Sequence, residues 1–235
     1  MRSVGHRPFP LPESRWTLGQ TWEHVFLAHW AVPTSDVRVR VPAELEIEEH
    51  GGTAWLGIVF FRVRALRARG ALPVPGISNF LQLNVRTYVR GPDGLPGVWF
   101  FSIDASSRLA ALGVRRIYHV PAFHARMTLE PVDGWQEAEC ARVGEPGRVF
   151  AARYRATGET LHAEPGSLEF FLTERYRLFA ADARAEMHHD RWVLSPAEAE
   201  VELASIAPFA LGKPRCCHFA FRQDALIWPP EPIAS

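Results

Sequence analysis

Two strand-like segments, residues 80–89 and 98–104, constrain the fold of this chain more than any other feature. Both are rich in β-branched and aromatic residues, which favour a pleated, half-buried strand. The connection 90–97 contains the sequence Pro-Asp-Gly, which is typical of a tight turn. The sequence therefore predicts an antiparallel hairpin here.

A helix and a further strand are predicted directly after the hairpin. Ser106 or Ser107 is suited to cap a short helix from Arg108 to about Arg116. Pro121 disfavours continuation of that helix and begins an extended run to residue 127. We expect the whole stretch, 80–125, to form one wall of a small-molecule pocket.

The rest of the chain also predicts strands joined by loops and short helices. Residues 53–66 predict a central strand. Residues 16–30 fit a helix face or a buried strand equally well. Residues 34–45 combine strand alternation with a helix-cap pattern, so their structure stays open. Ser167 is suited to cap a short helix. Further strands are predicted at 147–157, 174–180, 185–194 and 217–229, with 195–212 as a loop of some helix or strand character.

Composition indicates one folded domain. The chain has 235 residues, of which 47% are hydrophobic and 22% charged, as in ordinary globular proteins. Residues 1–15 are rich in proline and lack periodicity, so they predict an N-terminal arm on the surface. We expect 16–235 to be a single mainly β, or α+β, domain of antiparallel sheet with a few short helices.

Charge and cysteine content exclude several function classes. The formal net charge is zero without basic blocks, which argues against nucleic acid as a partner. No apolar run approaches the roughly 20 residues of a membrane-spanning helix, and the N-terminus lacks the apolar core of a secretory signal. Three cysteines without CxxC spacing predict neither a disulfide framework nor a metal site and suit a reducing cytoplasm. No phosphate- or dinucleotide-binding motif is present, so no cofactor is expected.

A polar strip on the first hairpin strand is the main candidate for ligand binding. Alternation places Gln82, Asn84, Arg86 and Tyr88 on one face of the strand. On the wall of a cavity, Arg86 could hold a carboxylate and the two amides could orient it. The competing interpretation is a solvated outer face, because half-exposed antiparallel strands have the same pattern.

A second cluster follows the predicted helix and comprises Arg115, Tyr118, His119 and His124. A histidine titrates near neutral pH and could act as an acid, a base or a hydrogen-bond donor. The spacing does not require this, and a lone histidine in a strand is more often structural or exposed.

Further histidines and cysteines carry no clear function. His188 and His189 are adjacent, so on a strand their rings would face opposite sides, and one of them could reach a pocket. Cys216 and Cys217 lie beside a basic residue and a histidine, which could activate a thiol, but buried structural cysteines are commoner.

Several segments together resemble a bacterial family of YqjF-like proteins, a domain of unknown function. The resemblance runs from residue 16 to 229 and rests on the motifs HW at 29–30, FLQLNVRTYV at 80–89, GVWFFSIDA at 97–105, RRIYHVP at 115–121, FLTERYRLF at 171–179, and HH followed by RWVL at 188–194.

The order of strand, hairpin, helix, arginine and proline is also distantly similar to acetoacetate decarboxylase. That resemblance implies a cone-like antiparallel β-sheet with helices packed around it. In acetoacetate decarboxylase a lysine forms a Schiff base with the ketoacid. On this sequence the lysine falls on Ala122, its electrostatic neighbour on Phe123 and the strand acid on Gln82. A methyl group cannot form an imine, so Schiff-base decarboxylation is predicted to be absent.

These observations favour a protein that binds a small organic acid, or a related keto or enol metabolite, in a β-cone cavity. The alternative is a lyase, isomerase or hydrolase that uses histidine, arginine and tyrosine side chains without covalent catalysis. Exposed edges of a β-rich fold make a homodimer a reasonable expectation.

Overall fold

The computed structural model describes residues 4–181 and 183–233. Strands dominate it, and three short helices lie between them. In chain order the elements are β1 (Leu18–Val32), α1 (Thr34–Arg38), β2 (Glu46–Ile47), β3 (Ala54–Ala68), β4 (Phe80–Arg90), β5 (Pro96–Ala105), α2 (Arg108–Tyr118), β6 (Ala122–Val132), β7 (Trp135–Arg142), β8 (Val149–Ala156), α3 (Leu168–Thr173), β9 (Arg177–Phe179), β10 (Ala183–His189), β11 (Ser195–Leu203), β12 (Cys216–Ile227) and β13 (Glu231–Pro232).

The sheet closes on itself as a barrel of 9 strands. Their order is β5-β6-β7-β8-β11-β12-β1-β3-β4, and the β4–β5 hairpin completes the ring. Neighbouring strands are antiparallel except where β5 pairs with β6 and with β9. The predicted β-rich, single-domain fold is thus confirmed. Of the described helices, none is long and apolar enough to cross a membrane.

Two strands of the barrel are forked. The edge of β5 opposite β4 pairs with β9 near its start and with β6 near its end. The edge of β12 opposite β1 similarly pairs with both β11 and β10, and β9 pairs with β10. Two lobes therefore share β1, β3, β4, β5 and β12. We call the lobe closed by β6, β7, β8 and β11 the filled lobe, and the lobe closed by β9 and β10 the open lobe.

Successive side chains of the shared strands point alternately into the filled lobe and the open lobe. On β1, Phe26 points to the filled lobe, where its ring stacks on Tyr154 of β8 with centroids 4.1 Å apart. Phe60 and Phe150 belong to the same buried cluster. The next residue along β1, Leu27, faces the open lobe, because successive side chains of a strand point to opposite faces.

The hairpin, helix and following strand predicted for residues 80–125 are confirmed. Strands β4 and β5 pair in antiparallel register with Gln82 opposite Ala105. The Ser107 hydroxyl accepts a hydrogen bond from the Ala110 N–H (3.2 Å) at the start of α2, and Ser167 does the same for Phe170 (3.1 Å) in α3.

Elsewhere the structure resolves the open alternatives and corrects two predictions. Residues 18–32 form a strand, and Thr34–Arg38 form a helix. The strand predicted over 174–180 is limited to Arg177–Phe179, because α3 ends immediately before it. The segment predicted as a loop contains a strand, Ser195–Leu203, whose pairing with β8 depends on a distant segment.

A buried ion pair lies near the fork of β5. The Asp104 carboxylate accepts two hydrogen bonds from the Arg142 guanidinium, at 2.8 Å and 3.0 Å, and neither side chain is more than 6% exposed. The guanidinium also stacks on Phe123, with Cζ 3.6 Å from the ring centroid. These contacts join β5, β6 and β7 where the two lobes diverge.

Part of the proline-rich N-terminal segment is buried rather than exposed. Arg7 and Phe9 are each 8% exposed. The Arg7 guanidinium donates to Glu186 of β10 at 2.7 Å, so this segment packs on the outside of the open lobe.

Candidate functional site

The open lobe encloses a cavity of about 280 Å³. Strands β1, β3, β4, β5, β9 and β10 and helix α2 contribute its lining, which is mostly apolar. Its polar side chains come from several elements: Gln20, Gln82, Asn84, Arg86, Tyr118, Thr173, Arg175 and His189. A concave, largely apolar site with a few convergent polar groups is the usual form of a small-molecule site.

Helix α2 and the segment before β4 border the cavity where it meets solvent. Leu109 and Ile117 of α2 line it and are 60% and 51% exposed. Ile77 lines the same side and is 41% exposed. Gly113 lies between the two α2 residues, and a Cβ added there would have nothing within 4 Å. The mouth of the cavity is therefore apolar and spacious.

The polar strip of β4 faces this cavity rather than solvent. Gln82 and Asn84 are buried, and the Gln82 amide donates to the Asn84 carbonyl oxygen at 2.8 Å. One terminal nitrogen of Arg86 donates to the Leu172 carbonyl oxygen at 3.0 Å. The Arg86 Nε is buried and has no partner among the described residues.

Two arginines line the cavity, but their surroundings differ. Arg175 forms a salt bridge with Glu48, and its Nε donates to the Phe171 carbonyl oxygen at 2.6 Å. Arg86 forms no ion pair with any carboxylate of the described residues. The positive charge of Arg86 is therefore the uncompensated one at this site.

The remaining predicted residues lie at different distances from the cavity. Tyr118 lines it. Tyr88 is fully buried beyond Arg86, and its hydroxyl donates to the Leu172 carbonyl oxygen at 3.0 Å. Arg115 is exposed and its Nε donates to the Ala122 carbonyl oxygen at 3.1 Å. His119 is exposed and His124 is half-buried, and neither lines the cavity.

The neighbouring histidines of β10 point in opposite directions. His189 lines the cavity, whereas His188 lies 5.6 Å from the ring of His6. The His189 Nδ1 and Nε2 lie 2.8 Å and 3.2 Å from the carbonyl oxygens of Asp190 and Arg175. Burial lowers the pKa of His189, whereas its hydrogen bonds to the two backbone carbonyl oxygens act in the opposite direction, because a neutral imidazole can donate to only one of them.

Sequence reasoning missed several cavity residues. Trp22 and Trp192 line the cavity with their rings stacked at 5.9 Å, and neither indole N–H has a partner among the described residues. Gln20 and Trp22 lie on the cavity face of β1 together with Leu27, but a register shift between Glu23 and Phe26 interrupts the alternation that would have indicated them. Trp192 and Thr173 lie outside regular strands, so no periodic signal marks them.

The lining residues limit the chemistry. Among the described residues, none that lines the cavity is an aspartate, glutamate, lysine, serine or cysteine. Ala122, at the start of β6, is fully buried and does not line the cavity. Lys213, the single lysine of the chain, borders a separate surface depression together with Glu200.

Comparison with known proteins identifies the family. The model of the DUF2071 family, described as an uncharacterized conserved protein, matches residues 19–222. The uncharacterized protein YqjF of Bacillus subtilis (strain 168) is 37% identical over 227 residues, covering 93% of each chain. This chain belongs to the DUF2071 family. The YqjF-like resemblance seen in the sequence is thereby confirmed.

Solved structures with the same fold are acetoacetate-decarboxylase-like. Acetoacetate decarboxylase from Legionella pneumophila superposes with a TM-score of 0.67 at 14% identity, covering 98% of this chain and 93% of that one. The enduracididine biosynthesis enzyme MppR, complexed with pyruvate, gives a TM-score of 0.68 at 11% identity, covering 98% of both chains. An acetoacetate decarboxylase-like enzyme from Sphingomonas wittichii RW1 gives 0.64 at 14% identity, covering 99% of this chain and 100% of that one. At such low identity these matches show the fold alone.

Proposed function

We propose that the open-lobe cavity binds a small organic acid, or a related keto or enol metabolite, through its carboxylate. The observation that carries this proposal is Arg86, whose charge faces a cavity in which no described lining residue is acidic. A guanidinium is the group best suited to hold a carboxylate in a fixed orientation. Gln82 and Asn84 supply neutral amides beside it.

The shape of the cavity specifies the rest of the ligand. Its polar groups on β4 lie deep in the lobe, and its mouth is bordered by the apolar residues of α2. A ligand with a carboxylate at one end and a short apolar remainder matches this polarity, because burial of apolar surface contributes about 25 cal/mol per Å². MppR, which shares the fold, was solved with pyruvate, and a 2-oxo acid is consistent with this description.

Binding is proposed in place of Schiff-base decarboxylation. Position 122 carries a methyl group, and Lys213 borders a different depression. Catalysis by proton transfer requires a positioned general acid or base. The one histidine among the lining residues has both ring nitrogens at backbone carbonyl oxygens.

The test is a thermal-shift screen of carboxylate ligands, including pyruvate, acetoacetate and longer 2-oxo acids, followed by calorimetry. Arg86→Met is expected to weaken binding of any acid found by about 10- to 100-fold, since a hydrogen bond to a charged group contributes about 1.5–3 kcal/mol. Arg115→Met serves as the matched control, because Arg115 does not line the cavity. Equal affinity in wild type and Arg86→Met would refute the proposed role of Arg86.

Borohydride trapping separates binding from imine chemistry. Incubation with pyruvate or acetoacetate and borohydride is expected to leave the mass of the protein unchanged. A stable adduct at Lys213 would show that this chain does form a Schiff base and would contradict the proposal.

A further inference from the structure

Beyond Leu27, the cavity face of β1 continues to His29, which is completely buried. In the antiparallel pairing of β1 with β12, His29 lies directly opposite Cys216, and Leu27 lies opposite His218. Cys216 and His218 are two residues apart on β12, so their side chains share a face. The register therefore brings one thiol and two imidazoles to the same side of the sheet.

These three side chains converge. One ligand atom from each, the Cys216 Sγ and a ring nitrogen of His29 and of His218, lie within 4.8 Å of one another. Ligand atoms of a tetrahedral zinc site lie about 3.3–3.6 Å apart, given Zn–N and Zn–S distances of about 2.0 and 2.3 Å. Displacements of about one ångström in the three ligand atoms would bring them to that geometry.

The hydrogen-bonding state of the cluster is a second, independent observation. Both ring nitrogens of His29 are buried without a partner among the described residues, and so is the Nδ1 of His218. Leaving a buried polar group unsatisfied costs about 1–3 kcal/mol. The His29 imidazole is buried in the sheet with neither nitrogen hydrogen-bonded to a described residue. A metal ion that accepts the lone pair of one nitrogen would relieve part of this cost.

The strand next to β1 makes space for the His29 ring. Gly57 of β3 lies opposite His29, and a Cβ at that position would be 3.2 Å from the His29 Cδ2 and 3.1 Å from the Tyr88 hydroxyl oxygen. A glycine in a strand interior often marks such a close approach. Here it leaves room for the ring on the cavity side of the sheet.

We propose that His29, Cys216 and His218 bind a borderline transition-metal ion of the Zn²⁺ class, with a fourth coordination position left open. One thiolate and two neutral imidazoles are ligands that zinc favours, and three protein ligands leave a position for water or a small molecule. The negative charge of Glu169 acts on Cys216 and His218 and favours a cation beside them. The charge of Arg86 acts on His29 in the opposite sense.

This proposal departs from the sequence-based prediction that the chain has no metal site. The sequence did contain a signal, because the alternation of Cys216 and His218 places two ligands on one strand face. The third ligand is 187 positions away from Cys216, and only the β1–β12 register brings it close. The metal site does not depend on the proposed carboxylate ligand of Arg86.

Metal binding is tested on tag-free full-length protein that has been treated with a chelator and then titrated with Zn²⁺ against a chromogenic competitor. One Zn²⁺ per chain is expected to bind and to raise the thermal unfolding midpoint. Cys216→Ser is expected to weaken Zn²⁺ binding by at least about 100-fold, since it removes a direct ligand. Cys217→Ser is the matched control, because Cys217 pairs with Ala28 and points to the opposite face.

Co²⁺ provides a second, spectroscopic readout of the proposed site. Wild-type protein with one equivalent of Co²⁺ is expected to show a thiolate-to-cobalt charge-transfer band, which persists in Cys217→Ser and disappears in Cys216→Ser and His29→Gln. Absence of the band in wild type would overturn the proposal, as would equal Zn²⁺ affinity in Cys216→Ser and wild type.

Discussion

On one face of β1, Phe26 stacks on Tyr154 and is sealed within the filled lobe. On the other face, Leu27 borders the cavity and His29 has both ring nitrogens without a partner among the described residues. The same strand and the same alternation produce these two environments. The difference arises from what closes each lobe: four strands cover the filled lobe, whereas two short strands and a helix cover the open one.

The two lobes differ in how completely their interior side chains are packed and hydrogen-bonded. The filled lobe contains large aromatic rings in mutual contact, so its contribution is to stability. The open lobe contains polar groups with unused hydrogen-bonding capacity, which destabilise a fold unless a ligand satisfies them. Functional sites are expected where packing rules are broken in this way.

The largest expected effect is a difference in the loss of unfolding free energy when a buried phenylalanine is removed from each lobe. Phe150→Ala, in the filled lobe, is expected to lower the free energy of unfolding by about 3–5 kcal/mol, because it removes a fully buried ring and leaves a cavity. Phe100→Ala removes a ring that already borders a cavity, and its cost is expected to be at least about 1 kcal/mol smaller. Urea denaturation of both variants measures the difference; equal losses would mean that the two lobes are packed alike.

The next effect is a loss of stability in acid, to which His188 and His189 at the edge of the open lobe contribute. Burial lowers the pKa of His189, and burial together with Arg7 lowers the pKa of His188 to about 4. The unfolded chain, with histidine pKa values near 6.5, then binds more protons than the folded chain below that pH. The stabilisation is complete above pH 6.5 and decreases as the pH falls toward the folded-state values, by at most about 1.4 kcal/mol per pH unit for each histidine.

The pH dependence is checked by measuring the free energy of unfolding between pH 7.5 and about 4.5. His189→Gln is expected to be less stable at neutral pH but to show a smaller decrease in acid. His124→Gln, at a half-buried position outside the cavity, is the control. A pH slope that is the same in His189→Gln and wild type would exclude His189 as a source of the effect.

The smallest effect concerns two glycines of the open lobe. Gly113→Ala is expected to stabilise the protein by about 0.5–1 kcal/mol, because glycine is unfavourable in a helix interior and the added Cβ meets nothing within 4 Å. Gly57→Ala is expected to destabilise it, because its Cβ would press on Tyr88 and His29. Thermal unfolding of both variants tests these opposite signs, and stabilisation by Gly57→Ala would contradict the close packing around His29.

Local signals were sufficient for much of the fold. The β4–β5 hairpin follows from β-branched and aromatic residues on either side of a Pro-Asp-Gly turn, and Ser107 and Ser167 both cap helices as predicted. The placement of Gln82, Asn84 and Arg86 on one strand face also follows from alternation alone. These features depend on interactions between residues close in the chain.

The extent of β9 and the existence of β11 were predicted less well. Strand β11 has alternating glutamate and alanine residues and is only partly buried, so its composition resembles a loop. It is a strand because it pairs with β8 and β12. Such pairing is decided by tertiary structure, since intrinsic strand preference is weak and depends on context.

By itself the sequence determined a β-rich domain, a hairpin at its centre and a polar strip on β4. Only the tertiary structure decided that this strip faces a cavity, that His189 and not His119 or His124 lines it, and that His29 meets Cys216 and His218. The physical reason is that alternation assigns a side chain to a face of its strand, whereas the pairing of distant strands determines what that face encloses.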